Sequence, residues 1–530
     1  VSRERRDLLV LFLLSLVVRL ATAAFISRAG YMDPAYYAAG AVNLAEGGGL
    51  DEPYIWNYLG EPEEIPQPGF LYWMPLPSLL AAPFAASFPG SFFALQIPFA
   101  LLSALLPLVG YAVTRQAVGS RRSAWAAGLV TLFSGFFFPH WTLPETFAPF
   151  ALFGSLALWL AGSGRQEAGG RGGLASWLVG LLVGLAHLTR ADGILLLPVV
   201  ALAPLFLQRP SITDHSSRIT RDVLRLTLCH GLFVALGYLF AMAPWFIRNT
   251  AAVGSPLGPG GTKTLWLANY DDLYCYGCDL SLQSYLAWGW DNILHSKLVA
   301  LSVNLQRFLA ENCLVFLLPL AVIGFYRLRR RPAFSISLIY LGLVYLAHSL
   351  AFTYPGVRGG FFHASSAVLP FIFAAAMEGL EATVKWVGQR RRWKIRQATA
   401  VFTVAVVVGA VVFSVYAGRA KVRSWRGVDT AYERVGDWME QSGIGEEAVV
   451  MANNAPAFWY YTRHPAVAVP AYTGGVEALL AAADRYGVAY VVLDRNWPLP
   501  PDGLVHPRLQ RVAEWGEGAS RVVLYEVVVQ

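Results

Sequence analysis

Residues 8–37 read LLVLFLLSLVVRLATAAFISRAGYMDPAYY, and the fold class turns on this stretch. Residues 8–26 are an apolar run long enough to cross a bilayer as a helix. The run is too long for the apolar core of a cleaved leader, so it reads as a retained anchor. Tyr31-Met32-Asp33-Pro34-Ala35-Tyr36-Tyr37 follows within a few residues of the membrane surface. Proline suits the first turn of a helix, and aspartate suits the N-cap before it. The pattern therefore predicts Asp33 as a cap and Ala35 to Glu46 as a helix along the interface, its tyrosines at headgroup level. A carboxylate there is placed to meet a substrate carried on a lipid. The competing reading leaves Asp33 as a cap alone.

Working outward, the chain has 530 residues, 56% hydrophobic and 14% charged, with mean hydropathy +0.47. That is the composition of a polytopic membrane protein. Apolar runs predict about eleven spans, at 8–26, 92–117, 123–138, 144–161, 174–188, 192–207, 224–246, 312–327, 333–353, 361–380 and 397–418. Six basic clusters lie at the N-terminus and between alternate spans. They are Arg3/Arg5/Arg6, Arg115/Arg121/Arg122, Arg165/Arg171, Arg209/Arg218/Arg221/Arg225, Arg327/Arg329/Arg330/Arg331 and Lys385/Arg390/Arg391/Arg392/Lys394/Arg396. The positive-inside rule places all six in the cytoplasm, with the N-terminus in and the C-terminus out. Consistency requires that residues 72–89 do not cross. Pro75, Pro77, Pro83 and Pro89 make that stretch a juxtamembrane or re-entrant helix. Because the net charge of +7 sits in these clusters, it speaks of topology and not of nucleic acid.

The expected architecture is an α-helical polytopic membrane protein with juxtamembrane helices and a C-terminal extracytoplasmic α/β domain. Residues 1–420 form the membrane module, with a first outer loop at 27–91 and a long outer loop at 247–311. Residues 421–530 form the soluble domain. There, Ala448–Ala452, Val467–Pro470, Tyr490–Leu493 and Arg521–Val529 read as strands, and 429–441 and Val476–Tyr486 as helices.

Asp33, His140, Glu145, Arg190, Arg248, Arg358 and His363 all fall on the outer face of this topology, near membrane depth. Ionisable groups at that depth point to function, although at a span's end they reach water cheaply. Arginine holds phosphate with a planar, permanently charged fork. Arg190, Arg248 and Arg358 thus read as lipid-phosphate contacts, against turn pairing or snorkelling. Glu145 is a first-turn carboxylate or binds a metal or an acceptor, and His140 and His363 are available as nitrogen ligands. Cys275-x-x-Cys278 is half of a zinc motif without a second half, and on the outer face it reads as a local disulfide. Cys229 and Cys313 read as packing residues. Trp56, Tyr58, Tyr72 and Trp73 read as interface anchors, with a sugar-stacking wall as the alternative.

Five stretches carry a family resemblance: GYMDPAYYAAGAVNLAEGGGL, PGFLYWMPLPSLLAAPF, HWTLPETFAPFALFGSLALWL, GLAHLTRADGILLLP and APWFIRNTAAVGSPLGP. In this order they resemble bacterial C-type glycosyltransferases related to protein O-mannosyltransferases and the lipid A aminoarabinose transferase. The soluble domains of some bacterial members are similar to VVMANNAPAFWYYTRHPAVAVP and YGVAYVVLD. The resemblance implies a cell-envelope hexosyl- or pentosyltransferase of the plasma membrane. Its donor would be a polyprenyl-phosphate sugar and its acceptor a protein, lipid or glycan outside the cytoplasm, with inversion at the sugar. It implies Asp33 as general base and Arg190, Arg248 and Arg358 at the donor phosphate. Members often carry two adjacent acids, where this chain has Met32-Asp33; either one acid suffices or Glu145 takes the second role. Some members use a divalent metal through a glutamate and a histidine, which Glu145 and His363 would match. The readings from other classes are a lipid or solute transporter, which would show repeats and broken helices at the midplane, and a membrane-anchored scaffold.

Overall fold

The computed structural model describes residues 3–163, 170–207, 217–425, 428–494, 497, 504–516 and 521–528. Arg165, Arg209 and the expected end of the last strand at Val529 lie outside the described residues. Helix α1 (Arg3–Phe25) is the first span. It carries Leu9 and Val17 on an outward face, 57% and 65% exposed, as apolar side chains are when lipid is the solvent. A tight turn leads to α2 (Met32–Ala45), and α3 (Leu76–Ser87) and α4 (Phe92–Val118) follow the first loop. Helices α5 (Arg121–Leu132), α6 (Phe147–Gly162) and α7 (Gly170–Thr189) complete the first half.

Seven described helices are long and apolar enough to cross a membrane, or eight if the bent pair Gly135–Thr142 and α6 is one span. The protein is a multi-pass membrane protein. The difference from eleven expected spans comes from breaks that hydropathy does not register. The expected span 123–138 stops at Leu132, and Gly135 takes a positive φ of 65° to start a separate 3-10 segment. That segment meets α6 at 112°. The expected span 192–207 is three short pieces, Ala191–Leu195, Leu196–Ala201 and Pro204–Leu207. The expected span 312–327 shortens to Leu318–Leu328, because Leu314 and Val315 sit at φ 48° and 62°. The long loop 247–311 holds an 18-residue helix, Trp290–Arg307. The stretch 72–89 forms only the 12-residue α3, short for a span.

Helix α2 does not lie open at an interface: Pro34 to Asn43 are all buried. Its run of small residues lets α3 approach closely. A Cβ at Gly40 would sit 2.7 Å from both the Phe70 ring and Ser78 Oγ. Nor is Asp33 the cap, since the extended residue before the helix is Tyr31 and no side chain caps it. Asp33 falls in the first turn, where the helix dipole still favours a carboxylate.

The C-terminal domain is a six-stranded sheet in the order β2-β5-β4-β6-β8-β7. Here β1 is Asp51–Glu52, β2 Tyr54–Ile55, β3 Gln67–Pro68, β4 Val449–Ala452, β5 Ala466–Ala468, β6 Val488–Leu493, β7 Leu509–Trp515 and β8 Val522–Val527. The first four positions are parallel, and β8 and β7 pair antiparallel. One edge strand, β2, comes from the first loop, with Tyr54 opposite Ala466 and Ile55 opposite Val467. The loop and the domain therefore share one sheet, and Ile55 packs into a core with Met451, Val467 and Val491. Helix Ala455–Thr462 and strand β7, which hydropathy did not mark, complete the domain.

Candidate active site

The first turn of α2, the break before α6 and the helix after Gly359-Gly360 converge on one cluster. One ligand atom each from Asp33, Glu145 and His363 lies within 4.8 Å of the others. His363 Nε2 is 3.8 Å from Asp33 Oδ2. Glu145 and His363 are buried, while the Asp33 side chain keeps 27% of its surface exposed. Burial, then the Glu145 carboxylate, push the Asp33 carboxyl up to about 7, with Arg190 and His140 opposing them.

Each member is oriented from behind. The Tyr31 hydroxyl donates to Glu145 Oε1 at 2.5 Å. His140 Nδ1 lies 2.8 Å from that hydroxyl and 3.1 Å from the same carboxylate oxygen. His140 is therefore a partner of Glu145 and stands outside the three-residue cluster. Thr146 Oγ1 is 2.7 Å from His363 Nδ1, which leaves Nε2 facing Asp33. The His363 ring stacks on Phe147 at 3.7 Å.

Two carboxylates and an imidazole make a mixed oxygen and nitrogen donor set of the kind that suits zinc or manganese. Glu145 Oε2 is buried without a hydrogen-bond partner, as a vacant ligand atom would be. The residues present thus fit a divalent cation.

The three candidate arginines have different surroundings. Arg190 lines a cavity of about 310 Å³ together with Tyr37, Tyr72, Trp73, Asp192 and Trp245. Its Nε and Nη2 donate to the Asp192 carboxylate, at 3.0 and 2.8 Å. Arg358 is exposed, with its guanidinium 4.5 Å from the Tyr270 ring centroid. Arg248 donates instead to the carbonyls of Gly69 and Leu50, both at 2.8 Å, and lies against Trp245. It fastens the first loop. The loop aromatics differ from interface anchors: Trp56 and Tyr58 are 2% and 5% exposed. Trp73 stacks on Trp56 at 4.2 Å and on Tyr37 at 6.0 Å, at the cavity wall.

Cys275 and Cys278 are joined by a disulfide, and Cys229 and Cys313 are free. The disulfide turn presents Tyr276 to Tyr58 at 5.3 Å, and Leu273 O accepts from Tyr58 N at 3.0 Å. Sequence reasoning missed Tyr31, Arg307, His348 and the end of helix Ile395–Trp425. Trp425 packs on Tyr31 and His140 at 5.1 and 5.3 Å, and Lys421 lies one turn earlier on the same face. Arg307 sits over the Phe362 ring at 5.6 Å and pairs with Glu311. A tyrosine ahead of a helix reads as an interface residue, and a basic residue at the end of a span reads as snorkelling, so neither stood out.

No protein-family profile and no curated protein sequence matches the chain. Solved structures do. ArnT from Cupriavidus metallidurans bound to undecaprenyl phosphate superposes with a TM-score of 0.58 at 15% identity, over 98% of this chain and 97% of that one. The archaeal oligosaccharyltransferase AglB from Archaeoglobus fulgidus, in complex with an inhibitory peptide and a dolichol-phosphate, gives 0.52 at 13%, over 93% of this chain and 70% of that one. The Archaeoglobus fulgidus oligosaccharyltransferase in complex with Zn and sulfate gives 0.52 at 13%, over 91% and 68%. With the helices, the broken spans and the C-terminal sheet domain, these likenesses show that the chain shares its fold with ArnT and the archaeal oligosaccharyltransferase.

Proposed function

We propose that the chain transfers one sugar from a polyprenyl-phosphate-linked donor to an acceptor on the extracytoplasmic side of the plasma membrane, with inversion at the sugar. The observation that carries this reading is the meeting of Asp33, Glu145 and His363 within 4.8 Å. On the same fold, ArnT was solved with undecaprenyl phosphate and AglB with a dolichol-phosphate. The basic clusters support a cytoplasmic N-terminus, with the Asp33 site on the opposite face.

Asp33 is the base. It combines partial exposure, which lets an acceptor reach it, with a carboxyl that titrates near neutrality. Its carboxylate takes the proton of an acceptor hydroxyl or amine as that atom attacks the anomeric carbon. The bond from that carbon to the phosphate oxygen breaks, and the phosphate leaves on its lipid. A phosphate needs no protonated acid to depart, unlike the sugar oxygen in glycoside hydrolysis. Arg190 and Arg358 hold the phosphate and stabilise its growing charge. A divalent cation, when bound by Glu145 and His363, would supply further positive charge for that phosphate. The apolar cavity beside Arg190 receives the first part of the prenyl chain.

The test is a panel of short-chain polyprenyl-phosphate sugars offered to the purified protein in lipid. Transfer, or slow donor hydrolysis, with an inverted anomeric product supports the reading; bound donor that is never turned over by the folded protein, whatever acceptor is supplied, opposes it. The breaks at Ser134–Gly135 and within 347–360 are what a transporter would share. A transporter moves the donor across vesicles without consuming it.

A further inference from the structure

Arg190 and Asp192 form a largely buried ion pair, and the pair has a third member outside the reacting cluster. His348 lies in the broken end of the helix Pro332–Ala351. Its Nε2 is 3.1 Å from Asp192 Oδ2, the oxygen that also accepts from Arg190 Nη2. A carboxylate only accepts, so Nε2 carries the imidazole proton. His348, Asp192 and Arg190 side chains are 5%, 12% and 16% exposed. With both carboxylate oxygens occupied, Asp192 has one rotamer that serves both partners, and Arg190 is held by its Nε edge.

His348 is fixed in turn. Its carbonyl accepts from Asn304 Nδ2 at 3.2 Å. A Cβ at Gly356 would lie 2.0 Å from that carbonyl oxygen, and one at Gly360 would lie 2.8 Å from His348 Cε1. The segment between these two glycines carries Arg358. The imidazole therefore has Arg190 on one side, through Asp192, and the backbone that presents Arg358 on the other.

We infer that His348 and Asp192 are positioning residues that aim Arg190 at the donor phosphate and seat the Arg358 segment against it. This rests on the reading of Arg190 as a phosphate ligand. Asp192 lines the cavity beside Arg190 and His348 stands behind it, and both act on the phosphate through Arg190. A rigid guanidinium discriminates a phosphate from an uncharged headgroup, so the relay acts on that discrimination and not on the prenyl chain.

The experiment compares the Kd of a decaprenyl phosphate with that of the matching polyprenol, for the full chain in nanodiscs. His348→Leu is expected to weaken phosphate binding about tenfold, the worth of a hydrogen bond to a charged group, with polyprenol binding unchanged. His348→Gln, whose amide reaches the place of Nε2 and can donate, is expected to restore most of the phosphate affinity. Asp192→Asn is expected to resemble His348→Leu. Unchanged phosphate affinity in His348→Leu, while Arg190→Met loses it, overturns the relay and leaves the phosphate reading standing. An equal loss for phosphate and polyprenol also overturns the relay, because it shows a general collapse of the site. Unchanged phosphate affinity in Arg190→Met overturns the phosphate reading and the relay with it. If His348→Leu does not fold, His348→Gln and Asp192→Asn carry the same comparison.

Discussion

The Tyr31 hydroxyl donates to Glu145 Oε1 at 2.5 Å, joining the residue before α2 to the break before α6. Glu145 is fully buried, and its other oxygen has no hydrogen-bond partner. Tyr31 thus sets which oxygen of Glu145 faces the cluster. Tyr31→Phe is expected to lower the affinity for Mn²⁺ or Zn²⁺ about 10- to 100-fold, the usual effect of losing a residue that orients a ligand. Titration calorimetry of the purified protein reads this, and an unchanged affinity would remove Glu145 as a ligand oriented by Tyr31.

Arg248 and Arg190 are expected to separate in their effects. Arg248→Met takes its donor from the Gly69 carbonyl and one of two donors from the Leu50 carbonyl, which keeps Gly69 N, and should cost about 1–3 kcal/mol of stability. Arg190→Met should instead weaken phosphate binding. Thermal unfolding in detergent beside a polyprenyl-phosphate binding assay distinguishes them.

The strand shared between the first loop and the C-terminal domain makes the domain part of the site's scaffold. Ile55 is fully buried on β2 and sits opposite Val467. Ile55→Ala should cost about 2–4 kcal/mol through the cavity it leaves. Hydrogen exchange should quicken at β5 and in the first loop together, and faster exchange in only one of them would contradict a shared sheet.

Glu52 contributes stability that falls as pH rises through the acidic range. Burial outweighs its hydrogen bonds from Phe70 N, Tyr36 and Gln67 and pushes its carboxyl up from 4.5 to about 7. The folded state therefore binds the proton more tightly than the unfolded chain. The stabilisation is full below pH 4.5 and is lost as pH rises through about 7, an effect of about 3 kcal/mol. Glu52→Gln should flatten this part of the pH–stability curve, and a slope identical to wild type would show that Glu52 is not its source.

Much of this was readable from residue order. The length of 8–26 and the carboxylate behind it locate α1 and Asp33, and alternating apolar runs locate most of the sheet domain. The backbone breaks within the spans were not readable, because apolar content continues through Ser134–Gly135 and Leu314–Val315. The edge strand Tyr54–Ile55 is two residues long and pairs with a strand about four hundred residues away, so local pattern has no trace of it. Arg190, Arg248 and Arg358 looked equivalent in sequence. Only their partners separate them: a carboxylate, two carbonyls and a tyrosine ring. His348 was hidden inside an apolar run, and Tyr31 lies ahead of the stretch read as the interfacial helix.

The measurement to make is sugar transfer by Asp33→Asn beside wild type, with the working polyprenyl-phosphate donor and with folding checked by thermal unfolding. Asparagine keeps the shape of the side chain and cannot take the proton. The expected result is unchanged folding and donor binding with turnover lowered about 10²- to 10⁴-fold, the range for loss of a general base. Full turnover by folded Asp33→Asn would contradict the assignment of Asp33 as the base and would move that role to another group of the cluster.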